Sequence, residues 1–354
     1  MIPAADITSA ISQISRGFRR LKGIGDAAND DTGEIVFDEW DWEVGVGLYG
    51  YFRDAEERDD QAAFARLIRW YENQLARGLP RRQVNSTSPM LVFSLLAEKF
   101  EREDWKAIVR DWAQWIFEEM PRTEEGGYQH LVKERDNEGQ LWDDTLFMAV
   151  LFMTTAGRLC RRPDWIEDAH YQYLCHIRFL GDPPSGLFFH GWTFLGRHNY
   201  ARALWARGNA WITIAIPELF RIAPPEGAIA RYLKEVYRTQ VAALQVLQNE
   251  QGMFHTLLDD TDSPVEASAT AGIGYGILAG IREGLIDESF RGAAERSLSA
   301  ILSRIDETGL LMDVSDGTPM GEDLDFYRRI KNLPTPYGQA LGGLFLMESR
   351  RHAR

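Results

Sequence analysis

Two adjacent carboxylates, Asp143 and Asp144, stand at the head of Leu141-Trp142-Asp143-Asp144-Thr145-Leu146-Phe147-Met148-Ala149-Val150-Leu151-Phe152-Met153, a stretch with no other charge. A segment apolar on every side reads as a helix enclosed by its neighbours. One acid can serve as N-cap, accepting from the free N–H groups of the first turn and meeting the positive end of the helix dipole. The second then lies at the mouth of a hydrophobic helix, where desolvation raises a carboxyl pKa and suits it to donate a proton near neutrality.

A second constellation is Leu204-Trp205-Ala206-Arg207-Gly208-Asn209-Ala210-Trp211. A guanidinium falls between two indoles at an expected helix start, where free N–H groups and a planar fork favour a carboxylate. The plainer alternative is an arginine lying over two core tryptophans. His130 and His190 occupy equivalent places in a repeated phrase, which raises them above isolated core histidines; His255, in a weaker copy, reads as structural. Asp41-Trp42-Glu43 and Glu266-Ala267-Ser268-Ala269-Thr270 each put a carboxylate at a helix start, with capping the simpler reading of Ser268 and Thr270.

Metal and phosphate patterns are missing from the sequence: there is no Cys-x-x-Cys, His-Glu-x-x-His or Gly-x-x-x-x-Gly-Lys-Ser/Thr, and no cofactor is expected. Gly45 and Gly47 follow nothing strand-like, so they read as close helix packing rather than a dinucleotide loop. Asp143-Asp144-Thr145-Leu146-Phe147 has the start of an Asp-Asp-x-x-Asp diphosphate site, but Phe147 stands in place of the third acid.

The elements that must position these residues are helices. Helical periodicity predicts them at about 6–22, 40–56, 60–77, 87–102, 104–119, 142–161, 164–179, 205–221, 227–249, 266–284, 288–304 and 336–350. Asp6, Asp164 and Asp287 precede periodic stretches, and Gly284 follows one. Between helix pairs recurs a phrase: Gly127-Tyr128-Gln129-His130, Gly186-Leu187-Phe188-Phe189-His190, Gly252-Met253-Phe254-His255 and Gly309-Leu310-Leu311-Met312-Asp313. Its last residues are 60, 65 and 58 positions apart, about the length of a helical hairpin with loops. Repeats of this length bury their apolar faces on one another. Because 142–153 and 271–278 lack a polar face, a closed double ring of six hairpins fits better than an open solenoid. Pro183-Pro184 and Pro224-Pro225 fall in loops, and no linker divides the chain, so one domain over 1–354 is expected.

Composition narrows the partners. The 354 residues, 45% hydrophobic, can form one large core or two ordinary ones. A formal net charge of −14 disfavours nucleic acid, and 12% aromatic residues with 11 Trp lean towards a planar or carbohydrate ligand. Cys160 and Cys175 make no disulfide framework. The start of the chain has no basic region before an apolar run, and no segment reaches the ~18 apolar residues of a membrane span. A cytoplasmic enzyme with a small-molecule substrate is expected.

Taken together, Leu141-Trp142-Asp143-Asp144-Thr145-Leu146-Phe147-Met148, Gly186-Leu187-Phe188-Phe189-His190, Trp205-Ala206-Arg207-Gly208-Asn209-Ala210-Trp211 and Glu266-Ala267-Ser268-Ala269-Thr270 resemble, in order and spacing, the unsaturated rhamnogalacturonyl hydrolases of glycoside hydrolase family 105. The related unsaturated glucuronyl hydrolases form family 88. The resemblance runs from about Trp40 to Tyr337-Gly338-Gln339. It implies an all-α (α/α)6 barrel that removes a 4,5-unsaturated galacturonic acid from the non-reducing end of rhamnogalacturonan-derived oligosaccharides. It also implies Asp144 as general acid and base, with Asn85, His130, His190, Trp205, Arg207 and Trp211 binding the sugar. Asn85 replaces an Asp found in some members, and Asn can still orient a hydroxyl or water.

A single acid suffices for such a substrate. The unsaturated uronate is a vinyl ether: protonation of carbon 4 leaves an oxocarbenium ion at carbon 5, water adds there, and the hemiketal opens. Arg207 would hold the substrate carboxylate. The competing readings are a two-carboxylate inverting glycosidase, pairing Asp144 with Asp41, Glu43 or Glu266, an unsaturated glucuronyl hydrolase, and a non-catalytic sugar-binding protein.

Overall fold

The computed structural model describes residues 2–21 and 39–353; Lys22, the last residue of the first expected helix, lies outside them. Helices buried on every side alternate along the chain with helices buried on one stripe. The first kind comprises α2 (Trp42–Arg58), α4 (Val84–Lys99), α6 (Leu151–Leu159), α8 (Ala206–Ile222), α10 (Ala267–Arg282) and α13 (Pro336–His352). The second comprises α1 (Ala4–Leu21), α3 (Gln61–Arg77), α5 (Glu103–Glu118), α7 (Pro163–Leu180), α9 (Gly227–Leu247) and α11 (Arg291–Leu302).

The burial pattern dictates the architecture, since a helix without a polar face needs neighbours all round. In the order α2, α4, α6, α8, α10, α13 each enclosed helix packs on the next, and α13 packs back on α2, closing the ring. The amphipathic helices lie outside, α3 on α2, α5 on α4, α7 on α6, α9 on α8, α11 on α10 and α1 on α13. This is an (α/α)6 barrel. Gly45 lets α2 approach α4: a Cβ there would lie 2.3 Å from Ser88 Oγ and 2.7 Å from Pro89 N, the close packing expected of it. No described helix is long and apolar enough to cross a membrane.

The recurring Gly/aromatic phrase forms the turns leading from outer to inner helices. Gly186, Gly252 and Gly309 adopt φ of +74°, +80° and +87°, while in the first copy Gly126, one residue before the phrase, takes φ +79°. The residues after the turns form short strand pieces. These pieces include β3 (Leu187–Phe188), paired with β2 (Gly181–Asp182), and β5 (Phe254–His255), paired with β6 (Val265–Glu266). The four connectors therefore share one rim of the ring.

The structure departs from the sequence expectations at three places that shape this rim. Trp142, where a helix was expected to begin, is strand: β1 (Gln140–Trp142) pairs antiparallel with β4 (Gly191–Thr193), and the helical part begins with a wide π-helical turn over Leu146–Val150. Helix α4 starts at Val84 rather than 87, because Gln83 and Ser86 form a reciprocal capping box. Between α11 and α13 runs a segment of irregular chain that contains the short α12 (Leu324–Arg328), for which periodicity offered no sign.

Candidate active site

The β1–β4 ladder delivers the two acids to the rim. Leu141 pairs with Trp192 and Trp142 with Gly191, and Asp143 N then donates to His190 O at 3.2 Å. Asp143 is completely buried, whereas Asp144 is partly exposed at the mouth. Neither serves as the expected cap: Thr145 opens the helical turn with no side-chain cap bond, and both Asp143 oxygens and Asp144 Oδ1 are buried without a hydrogen-bond partner. Burial, and next the charge of Asp144, hold the Asp143 carboxyl well above the ordinary range. The acid kept protonated is thus Asp143, while the acid that can touch a ligand is Asp144.

His130 and His190 flank the pair as neutral imidazoles. His130 Nδ1 bonds Thr145 Oγ1 at 2.8 Å, and its ring stacks on Trp142 with centroids 4.3 Å apart and an interplanar angle of 5°. His190 Nδ1 bonds Tyr327 Oη at 2.8 Å, and its buried Nε2 has no partner. Burial lowers the pKa of His130 and takes that of His190 down to about 3, against the pull of Asp144. Carboxylate oxygens of Asp143 and Asp144 and a ring nitrogen of His190 lie within 4.8 Å of one another. They are the one trio of such donors among the described residues close enough to share a cation. With burial holding Asp143 as the neutral acid beside Asp144, the set suits proton transfer.

Arg207 joins the same cluster through different partners from those expected. It lies between the rings of Trp205 and Tyr337, at 4.6 and 4.7 Å, and Trp211 points away to Phe147 and Trp42. Its fork is not free for a substrate. Nη1 donates to Ser315 O and Oγ at 2.9 and 2.7 Å, and Nη2 donates to Asp316 O and Thr318 Oγ1 at 3.2 and 3.0 Å. The guanidinium thereby clamps the 315–318 loop onto the rim. Glu266 lies 3.8 Å from it and offsets part of its charge.

The remaining candidates divide by use. Asn85 is half-buried in the first turn of α4, whose Val84 N donates to Leu131 O beside His130. Asp41 caps α2, accepting from Trp42 N at 2.7 Å. Glu266 caps α10: its oxygens accept from Ser268 N and Oγ, Ala269 N and Ser315 N. The capping expected of Ser268 and Thr270 therefore belongs to Glu266, and Thr270 Oγ1 bonds Glu266 O instead. His255 is held by Ser263 O at 2.6 Å, the structural role expected of it. Tyr327, missed by sequence reasoning, lies 137 positions from the histidine it holds and in a segment without periodicity. Trp42, noted only as a neighbour of two acids, stacks on Tyr337 at 4.9 Å.

The site is thus a cluster of acids, histidines and tryptophans at one rim of an (α/α)6 barrel. The sequence model of Glycosyl Hydrolase Family 88 matches residues 27–353, and the chain belongs to that family. It is 30% identical over 317 residues to the unsaturated rhamnogalacturonyl hydrolase YesR of Bacillus subtilis, covering 87% of this chain and 89% of that one. Among solved structures it superposes with a TM-score of 0.93 on a possible member of the family 105 enzymes from Klebsiella pneumoniae, at 39% identity over 99% of this chain and 94% of the other. It shares the fold of unsaturated glucuronyl hydrolase from Bacillus sp. GL1, with a TM-score of 0.72 at 17% identity, covering 98% of this chain and 97% of that one.

Proposed function

We propose that this glycoside hydrolase removes 4,5-unsaturated galacturonic acid from the non-reducing end of rhamnogalacturonan-derived oligosaccharides, by hydrating the vinyl ether double bond. The observation that carries the reading is that, of the two adjacent acids, Asp144 alone is open to a ligand. Asp143 is sealed from the rim, and Asp41 and Glu266 are spent as caps. A conventional glycosidase needs two carboxyl groups flanking the anomeric carbon, about 5–5.5 or 6.5–9.5 Å apart. A vinyl ether needs one group that gives a proton and then accepts one.

In this scheme Asp144 protonates carbon 4, and the ring oxygen stabilises the cation at carbon 5. Water adds to carbon 5 and passes a proton back to Asp144; the hemiketal then opens and the leaving sugar departs. Partly exposed Trp42 supplies flat apolar surface for the ring plane, while Trp205 is buried against His190 and Arg207 and backs the site. His130 and His190, being neutral and buried, flank Asp144 without adding a competing charge. Arg207 contributes positive charge near the uronate, and its direct pairing with the carboxylate requires the 315–318 loop to yield some of the fork.

The test is a panel of disaccharides with an unsaturated uronic acid linked to rhamnose or to an amino sugar, alongside saturated glycosides. Loss of the double bond's ultraviolet absorbance is expected with the rhamnose-linked compound. Cleavage confined to saturated glycosides would overturn the reading, and preference for the amino-sugar linkage would move the substrate to the glucuronyl class.

A further inference from the structure

A carboxyl group without solvent, hydrogen-bond donor or counter-ion in contact is an unusual thing to keep, and Asp143 is such a group. Its seat is shaped for it. Asp143 lies against the first turn of α8 at Gly208, where a Cβ would fall 1.8 Å from Oδ2, 2.6 Å from Cγ and 2.9 Å from Oδ1. No side chain larger than hydrogen at 208 leaves room for the carboxyl, so the two positions are mutually dependent. Its backbone is pinned by the bond to His190 O, which presents the carboxyl to Asp144.

We propose, resting on the reaction described above, that Asp143 is a positioning residue that shares a single proton with Asp144 and thereby sets the pH range over which Asp144 can deliver it. Two carboxylates this close do not both ionise readily, so the pair retains one proton at pH values where an isolated aspartate has lost it. In the resting pair the proton sits on the sealed partner. During reaction it passes from the Asp143 oxygen to Asp144, whose O–H bond breaks as the C–H bond at carbon 4 forms from the electrons of the double bond. Two carboxylates then face the cation at carbon 5. Water forms the new C–O bond and returns a proton to Asp144, restoring the pair.

The other groups facing the pair are compatible with this. From the turn after β3 comes His190, from α8 Arg207 with Glu266 behind it, and from the 313–335 segment Tyr327. His130 and His176 lie towards Asp144. All three histidines are held neutral by burial, their pKa values lowered. Arg207 is the one permanent cation among them, and its Nη groups are engaged by the 315–318 loop.

The experiment compares pH–rate profiles of the wild type, Asp143→Asn, Gly208→Ala and Asp144→Asn on the unsaturated disaccharide. Aspartate-labelled protein without substrate is titrated in parallel by carboxyl 13C NMR. Asp143→Asn is expected to keep its rate on the acid side within a few-fold and to move the alkaline limb down by about one pH unit or more. Gly208→Ala moves it the same way by displacing the carboxyl. Asp144→Asn is inactive throughout. The wild-type titration shows one aspartate protonated well above the usual range, and Asp143→Asn lacks it. Superimposable profiles for wild type and Asp143→Asn, or survival of the high-titrating signal in Asp143→Asn, overturn the proposal. If the wild type leaves the substrate untouched, the functional reading fails, and the titration still decides whether the proton is shared.

Discussion

Replacing Asp144 by Asn separates chemistry from architecture, because the structure gives the side chain almost no structural work. Asp144 Oδ1 has no hydrogen-bond partner, the adjacent helix takes no cap from it, and its main electrostatic neighbour is another acid. The amide keeps the shape and removes the proton. General acid–base catalysis is worth typically ~10²–10⁴ in rate, which corresponds to about 2.7–5.5 kcal/mol of barrier; as one group serves both steps, the upper end is expected. The charge that forces Asp143 to stay neutral also disappears, so thermal stability should hold or rise slightly. Turnover is followed by ultraviolet absorbance under saturating substrate, and stability by thermal melting at the same pH. A variant within tenfold of wild-type turnover would refute Asp144 as the proton donor. An inactive variant that melts far below wild type would mean that the acid supports the rim rather than the reaction.

Arg207→Lys keeps the charge and loses the planar fork, so the 315–318 loop should exchange amide hydrogens faster and KM should rise more than kcat falls; unchanged exchange there would contradict the clamp. Tyr327→Phe removes the hydroxyl that bonds His190 Nδ1 and accepts from Gly321 N, which should cost about 1–3 kcal/mol of stability by urea unfolding and lower turnover by freeing the imidazole. At the other end of the ring, buried Glu218 accepts from Tyr49, Tyr275, Arg221 and Arg282. Glu218→Ala should cost ~3–5 kcal/mol while the folded fraction keeps its activity. Because burial lowers the pKa of His176 to about 4 and of His190 to about 3, the folded state binds fewer protons than the unfolded chain below pH ~6.5. Their contribution is present above that pH and is lost as the pH falls towards 4 and then 3, so the melting temperature should drop across this window and drop less in His176→Gln.

How much of this was legible beforehand follows from the range of each interaction. The ring could be read from the sequence because its cause is local: 142–153 and 271–278 have no polar face, and a helix of that kind must be enclosed wherever it occurs. The Gly-aromatic connectors were visible for a similar reason, since Gly186, Gly252 and Gly309 take positive φ that the sequence supplies within the turn itself. Proximity of Asp143 to Asp144, and of Arg207 to Trp205, is likewise a matter of chain neighbours. What tertiary structure decided was how these residues are used. The pairing of β1 with β4 turned an expected helix start into a strand and buried Asp143 instead of leaving it as a cap. Arg207 met Ser315 across 108 positions and spent its fork there, and Tyr327 reached His190 across 137. Periodicity and capping rules describe forces acting over a few residues, whereas desolvation and the choice of hydrogen-bond partner depend on which distant segments close over a group. The identities of the acids were therefore written in the chain, and the division of labour between them arose only when the ring closed.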